Sequence, residues 1–86
     1  MNFMFDGYTL GNLNLANRFV FPPIKTAYGK PRGIVTERQL AFYRQIARNG
    51  PGLIILEPVS VTPEGREHPK QLCIHLPESV SELKKI

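Results

Sequence analysis

Residues Leu53-Ile54-Ile55-Leu56-Glu57 constrain the fold more than any other stretch of this chain. Four large apolar residues stand in a row without alternation. A strand with one wet face alternates with period two, whereas a strand buried on both faces reads as an unbroken run, the mark of a parallel sheet. The run closes on a carboxylate, Glu57, and then on Pro58, which has no N–H to give to a ladder. Residues 59–71 are rich in Pro, Gly and charge and read as a loop leaving the carboxyl end of that strand. In α/β proteins ligands sit at that end.

The flanking segments supply the rest of a βαβ unit. Tyr8-Thr9-Leu10 and Leu13-Asn14-Leu15 alternate on either side of Gly11-Asn12, which predicts a hairpin within residues 1–15. Phe19-Val20-Phe21, stopped by Pro22-Pro23, reads as a second buried strand, parallel to the first and followed by a loop over 24–35. Thr36 and Gln39 have capping-box spacing and open a helix over 36–48. Leu40, Tyr43, Ile46 and Ala47 form its apolar stripe, with Arg38, Gln45 and Arg48 facing away. Asn49-Gly50 ends the helix and Pro51 forbids its return. A second helix starts at Pro77-Glu78-Ser79, with Val80, Leu83 and Ile86 as its expected apolar face.

Eighty-six residues allow one small domain of marginal independent stability. The chain carries 11 Lys and Arg against 7 Asp and Glu, but the basic residues are scattered. Without a basic stripe interleaved with aromatics, nucleic-acid binding is a weak reading. The single cysteine, Cys73, excludes an internal disulfide framework and suits a reducing compartment. No apolar run approaches the ~20 residues of a membrane span. The start of the chain does not read as a secretory signal, so a cytoplasmic location is expected.

Chemistry-bearing residues gather at the strand ends. Glu57 reads equally as a ligand or catalytic carboxylate and as one paired to Arg66 or another neighbour. Lys25 follows the strand at 19–21 and is placed to meet an anionic ligand, with plain solvation as the competing reading. Arg18 precedes its strand, where a salt bridge is expected. Tyr28 either stacks on a ligand or covers its loop, and Glu64-Gly65-Arg66 reads as a charged turn. His68, Cys73 and His75 match no closed metal-site spacing, and no metal is expected.

Asn17-Arg18-Phe19-Val20-Phe21-Pro22-Pro23-Ile24-Lys25-Thr26 resembles the first strand of the old yellow enzyme family, with Gly11-Asn12-Leu13 ahead of it. Val35-Thr36-Glu37-Arg38, Phe42-Tyr43 and Ala47-Arg48 resemble the family's first helix. Residues 52–61, then Pro63-Glu64-Gly65-Arg66, resemble its second strand and following loop, and Gln71-Leu72-Cys73-Ile74 a further element. The ordered set, more than any one piece, carries the likeness.

The resemblance implies an α/β fold, the first part of a (β/α)8 TIM barrel. Residues 1–86 would supply an N-terminal hairpin, two parallel strands, one complete helix and the start of a second, with the barrel incomplete. It implies FMN as cofactor and NAD(P)H as electron donor, with hydride passing through FMN to an activated alkene. Pro22, Pro23, Ile24 and Lys25 would lie against the flavin ring. Members often carry Cys, Thr or His near Lys25, where the side chain tunes the flavin; Lys25 departs from that, and Thr26 would take the role if the register slips by one. Glu57 and Pro58 would border the cofactor, although Pro58 lacks the N–H that many members present. The family's substrate-orienting histidines, proton-donating tyrosine and phosphate loops belong to later strands. The chain alone is therefore expected to be inactive. Its open sheet edges invite a second chain or self-association, and a non-catalytic half-barrel that docks to a partner is the alternative reading.

Overall fold

The computed structural model describes residues 3–86. Tyr8–Leu10 (β1) and Leu13–Leu15 (β2) form the expected antiparallel hairpin, with Gly11 at φ 58° in its turn. The hairpin reading began at Met1, and Met1 and Asn2 lie outside the described residues. Val20–Phe21 (β3) pairs in parallel with Leu53–Ile54 (β4), Val20 beside Leu53 and Phe21 beside Ile54. One further ladder bond, Ile55 N to Phe21 O at 3.0 Å, carries the pairing towards Glu57.

Between these strands runs α1, Glu37–Arg48. Thr36 caps it in extended conformation, its hydroxyl accepting Gln39 N–H while the Gln39 side chain accepts Thr36 N–H. Both halves of the capping box therefore form, and two donors that a helix start leaves orphaned are satisfied. Arg38, Gln45 and Arg48 are exposed as expected. The buried face is Gln39, Leu40 and Tyr43, with Ile46 half-buried. Ala47, expected on that stripe, is exposed. Gly50 takes the positive φ (80°) that ends the helix, and Asn17 Nδ2 donates to its carbonyl at 2.7 Å.

The stretch after Pro58 is more than a loop. Val59–Ser60 (β5) pairs in parallel with Leu72–Cys73 (β6), and between them Pro63–Gly65 makes one turn of 3-10 helix capped by Thr62. Neither two-residue strand is long enough to show a period. The apolar core gathers here: Val35, Leu40 and Leu72, with Val59 and Leu83 packed against them. Gly33 sits at φ 82°, and a Cβ there would lie 2.5 Å from the Cys73 Cβ, so only glycine lets loop and strand close.

The organising run is less covered than its composition demands. Leu53, Ile54 and Leu56 are half-buried and Ile55 is 44% exposed. β4 has a ladder partner on one edge only, and the core lies against β6 instead. The last helix, α2, runs Pro77–Leu83 and is anchored through Ser79 and Leu83, four residues apart on one face. Val80 and Ile86, expected on the buried face, are exposed. Arg32 reaches Glu78 at 3.5 Å, tying the loop before α1 to α2.

The shape follows from this open arrangement. The radius of gyration is 14.8 Å and the extents are 47 × 25 × 22 Å, against about 12 Å for a closed globule of this length. No helix among the described residues is long and apolar enough to cross a membrane.

Candidate functional site

Parallel pairing brings the carboxyl ends of β3 and β4 together, and Glu57 is what joins them. Glu57 is 4% exposed. Thr26 Oγ1, from beyond β3, lies 3.0 Å from both carboxylate oxygens. From α1, Gln39 Nε2 donates to Oε1 at 3.0 Å and Tyr43 Oη to Oε2 at 2.8 Å. The Glu57 N–H returns a bond to Tyr43 Oη at 3.1 Å. Of the two readings of Glu57, the structure supports pairing to neighbours. The neighbour is not Arg66, whose guanidinium instead binds the carbonyls of Pro31, Pro63 and Pro69 and staples its own loop.

Burial raises the Tyr43 hydroxyl well above its ordinary pKa, and the Glu57 side-chain hydrogen bond and charge raise it further. The bond from the Glu57 backbone works the other way. Tyr43 is therefore a fixed, neutral donor at neutral pH.

The loop from Thr26 to Thr36 is built onto the same centre. Thr26 Oγ1 accepts Tyr28 N–H at 3.2 Å, and the Thr36 hydroxyl donates to Tyr28 O at 2.7 Å. Ala27 between them is at φ 58°, the left-handed region that costs a residue with a Cβ about 1–2 kcal/mol. Tyr28 covers its loop: Arg38 lies over its ring at 3.8 Å and Phe42 meets it edge-on at 5.9 Å.

A cleft of about 150 Å³ opens at these strand ends, bordered by Lys25, Ala27, Glu57, Pro58, Glu67, His68 and Gln71. Lys25 is neither buried nor free: it forms an ion pair with Glu67, the two side chains being 54% and 62% exposed. Pro22, Pro23 and Ile24 present an exposed apolar surface beside it, while Thr26 and Pro58 are half-buried. A larger hollow of about 510 Å³ lies at the other end of the strands, lined by Phe5, Asn17, Phe19, Ile46 and Pro51 among others. It holds no titratable side chain, and in β/α architectures that end is structural.

The expectation for Arg18 is corrected. Arg18 makes no salt bridge among the described residues; its guanidinium lies over Phe3 and Tyr8, 5.8 and 5.1 Å from the ring centres. His68 Nδ1 accepts Lys70 N–H, and His75 Nδ1 meets Cys73 Sγ at 2.9 Å. No group of three His, Cys, Asp or Glu able to hold a metal is present among the described residues. Gln39, Tyr43 and Glu67 were not singled out as site residues. Gln39 and Tyr43, four apart on one helix face, each carry a polar tip on an otherwise apolar stripe, and that was the available signal. Nothing in the local sequence marks Glu67 as the partner of Lys25.

Known proteins resemble this chain over most of its length. It is 41% identical over 70 residues to an NADH oxidase of Thermoanaerobacter brockii, covering 80% of this chain and 11% of the relative. It is 35% identical over 71 residues to an NADPH dehydrogenase of Clostridium acetobutylicum, covering 83% and 21%. The old yellow enzyme from Pichia sp. AKU4542 superposes with a TM-score of 0.89 at 29% identity, over 96% of this chain and 22% of that one. A variant of NCR from Zymomonas mobilis superposes at 0.88 and 27% identity, over 100% and 27%. The chain thus spans between about a tenth and a quarter of the proteins it matches, and its fold is part of an α/β barrel. The model of the NADH:flavin oxidoreductase / NADH oxidase family matches residues 3–86, and the chain belongs to that family.

Proposed function

We propose that residues 1–86 form the first wall of the flavin site of an FMN-dependent oxidoreductase. In this reading NADH or NADPH is the donor and an activated alkene or related compound the acceptor. The observation that carries it is the exposed Pro22-Pro23-Ile24-Lys25 segment, held at the same end of the sheet as the buried Glu57 anchor. The printed activities of the relatives, NADH oxidase and NADPH dehydrogenase, support the choice of donor.

The residues suit such a group. A flat aromatic ring system needs an apolar surface that does not move, and two consecutive prolines supply one. Its polar edge needs charge or donors nearby, and Lys25 and Gln71 border the adjoining cleft. Pro58 adds surface and no donor. Bound there, FMN supplies the electron-transfer chemistry. The protein's part is shape, orientation and electrostatics. Thr26 and Glu57 lock the backbone that carries Pro22 to Lys25, and the Lys25–Glu67 pair borders the cleft.

The test is the gene product in full, purified and examined for bound FMN, then mixed with NADH or NADPH without oxygen. Loss of flavin absorbance on adding either nucleotide is expected. A protein that carries no flavin and takes none up from solution overturns the reading.

A further inference from the structure

Glu57 is a buried carboxylate held only by neutral donors. Three donors hold it: Gln39 on Oε1, Tyr43 on Oε2, and the single Thr26 hydroxyl proton shared between the two oxygens. The Thr26 and Tyr43 hydroxyls each already accept a backbone N–H, from Tyr28 and from Glu57 itself, so their own protons face the carboxylate.

Its charge is also unbalanced. The ion pairs among the described residues are Lys25–Glu67, Arg32–Glu78 and Lys85–Glu82, and none includes Glu57. Lys25, the cation that borders the same cleft, faces Glu67. The cleft therefore carries a carboxylate in excess, and that carboxylate is the buried one, whose field water screens least.

We infer that Glu57 tunes the cofactor electrostatically: its fixed negative charge at the strand ends lowers the reduction potential of FMN. Thr26, Gln39 and Tyr43 are the positioning residues that hold its side chain in place. The inference rests on the flavin reading above. A group that gains electrons becomes more negative, so a nearby buried anion opposes the gain.

The experiment measures the FMN midpoint potential in the full-length holoprotein and its variants. Glu57→Gln, which removes the charge at constant size, is expected to raise the potential by about 30 mV, a tenfold change in the relative affinity for the two oxidation states. Tyr43→Phe removes a hydrogen bond but leaves the charge, and is expected not to raise it. A purely structural role would not separate these two variants. Should Glu57→Gln fail to fold, Glu57→Met with Gln39→Met and Tyr43→Phe removes the charge together with donors that would be left unpaired. An unchanged or lower potential in a charge-free variant overturns the inference and leaves the flavin reading standing. Loss of FMN from both charge-free variants assigns Glu57 a structural role and overturns it too. A wild-type protein without FMN overturns the flavin reading, and the inference with it.

Discussion

Tyr43 and Glu57 exchange two hydrogen bonds, the phenol donating to Oε2 at 2.8 Å and accepting the Glu57 N–H at 3.1 Å. This closed pair clamps the middle of α1 to Glu57, three residues beyond the end of β4. Tyr43→Phe leaves a buried carboxylate short of one donor and a buried N–H without its acceptor. A loss of about 1–3 kcal/mol is expected, read from the denaturant midpoint at neutral pH.

The same pair predicts an alkaline signature. The folded pKa of Tyr43 is raised above the unfolded value of about 10. The folded state therefore holds a proton that the unfolded state releases. Its stabilisation is complete below pH 10 and is lost as the pH rises towards the folded value. Unfolding free energy measured from pH 9 to 11 should fall more steeply in wild type than in Tyr43→Phe; parallel slopes would contradict the assignment.

Ala27 predicts a gain. Its φ of 58° suits glycine, and Ala27→Gly removes strain of about 1–2 kcal/mol while adding about 0.5–1 kcal/mol of unfolded-state entropy. Net stabilisation of roughly 0.5 kcal/mol is expected, with Ala27→Val destabilising. A denaturation series over the three proteins checks the order.

Gly33 predicts a local failure. Gly33→Ala puts a methyl group 2.5 Å from the Cys73 Cβ and 2.6 Å from its backbone nitrogen, at a φ that alanine resists. Cys73 is 1% exposed, so its thiol is protected in the wild type. Faster labelling by a thiol reagent is expected in Gly33→Ala under native conditions.

Isolated residues 1–86 should self-associate and fail to retain FMN. Phe3, Phe5, Tyr8, Val20 and Ile55 are all exposed, and β3 and β4 each have a ladder partner on one edge only. Sizing chromatography over a range of concentrations should show species larger than 9.7 kDa, and dialysis should strip added flavin. A concentration-independent monomer or stoichiometric FMN would each count against this.

Local chemistry was enough to read much of the chain. Gly11-Asn12 dictates a hairpin, Thr36 with Gln39 a helix start, and Gly50-Pro51 its end, because each acts over three or four residues of backbone. The parallel pairing of β3 with β4 was also legible, since an apolar strand, an intervening amphipathic helix and a second apolar strand leave few other topologies. Only the tertiary structure decided what the side chains at the strand ends do. Glu57 collects Thr26, Gln39 and Tyr43 from 14 to 31 positions away, and Lys25 finds Glu67 at 42. No local pattern encodes such pairings, because a carboxylate's partner depends on which donors the packing brings within about 3 Å, and that is settled only when helix and strands have docked.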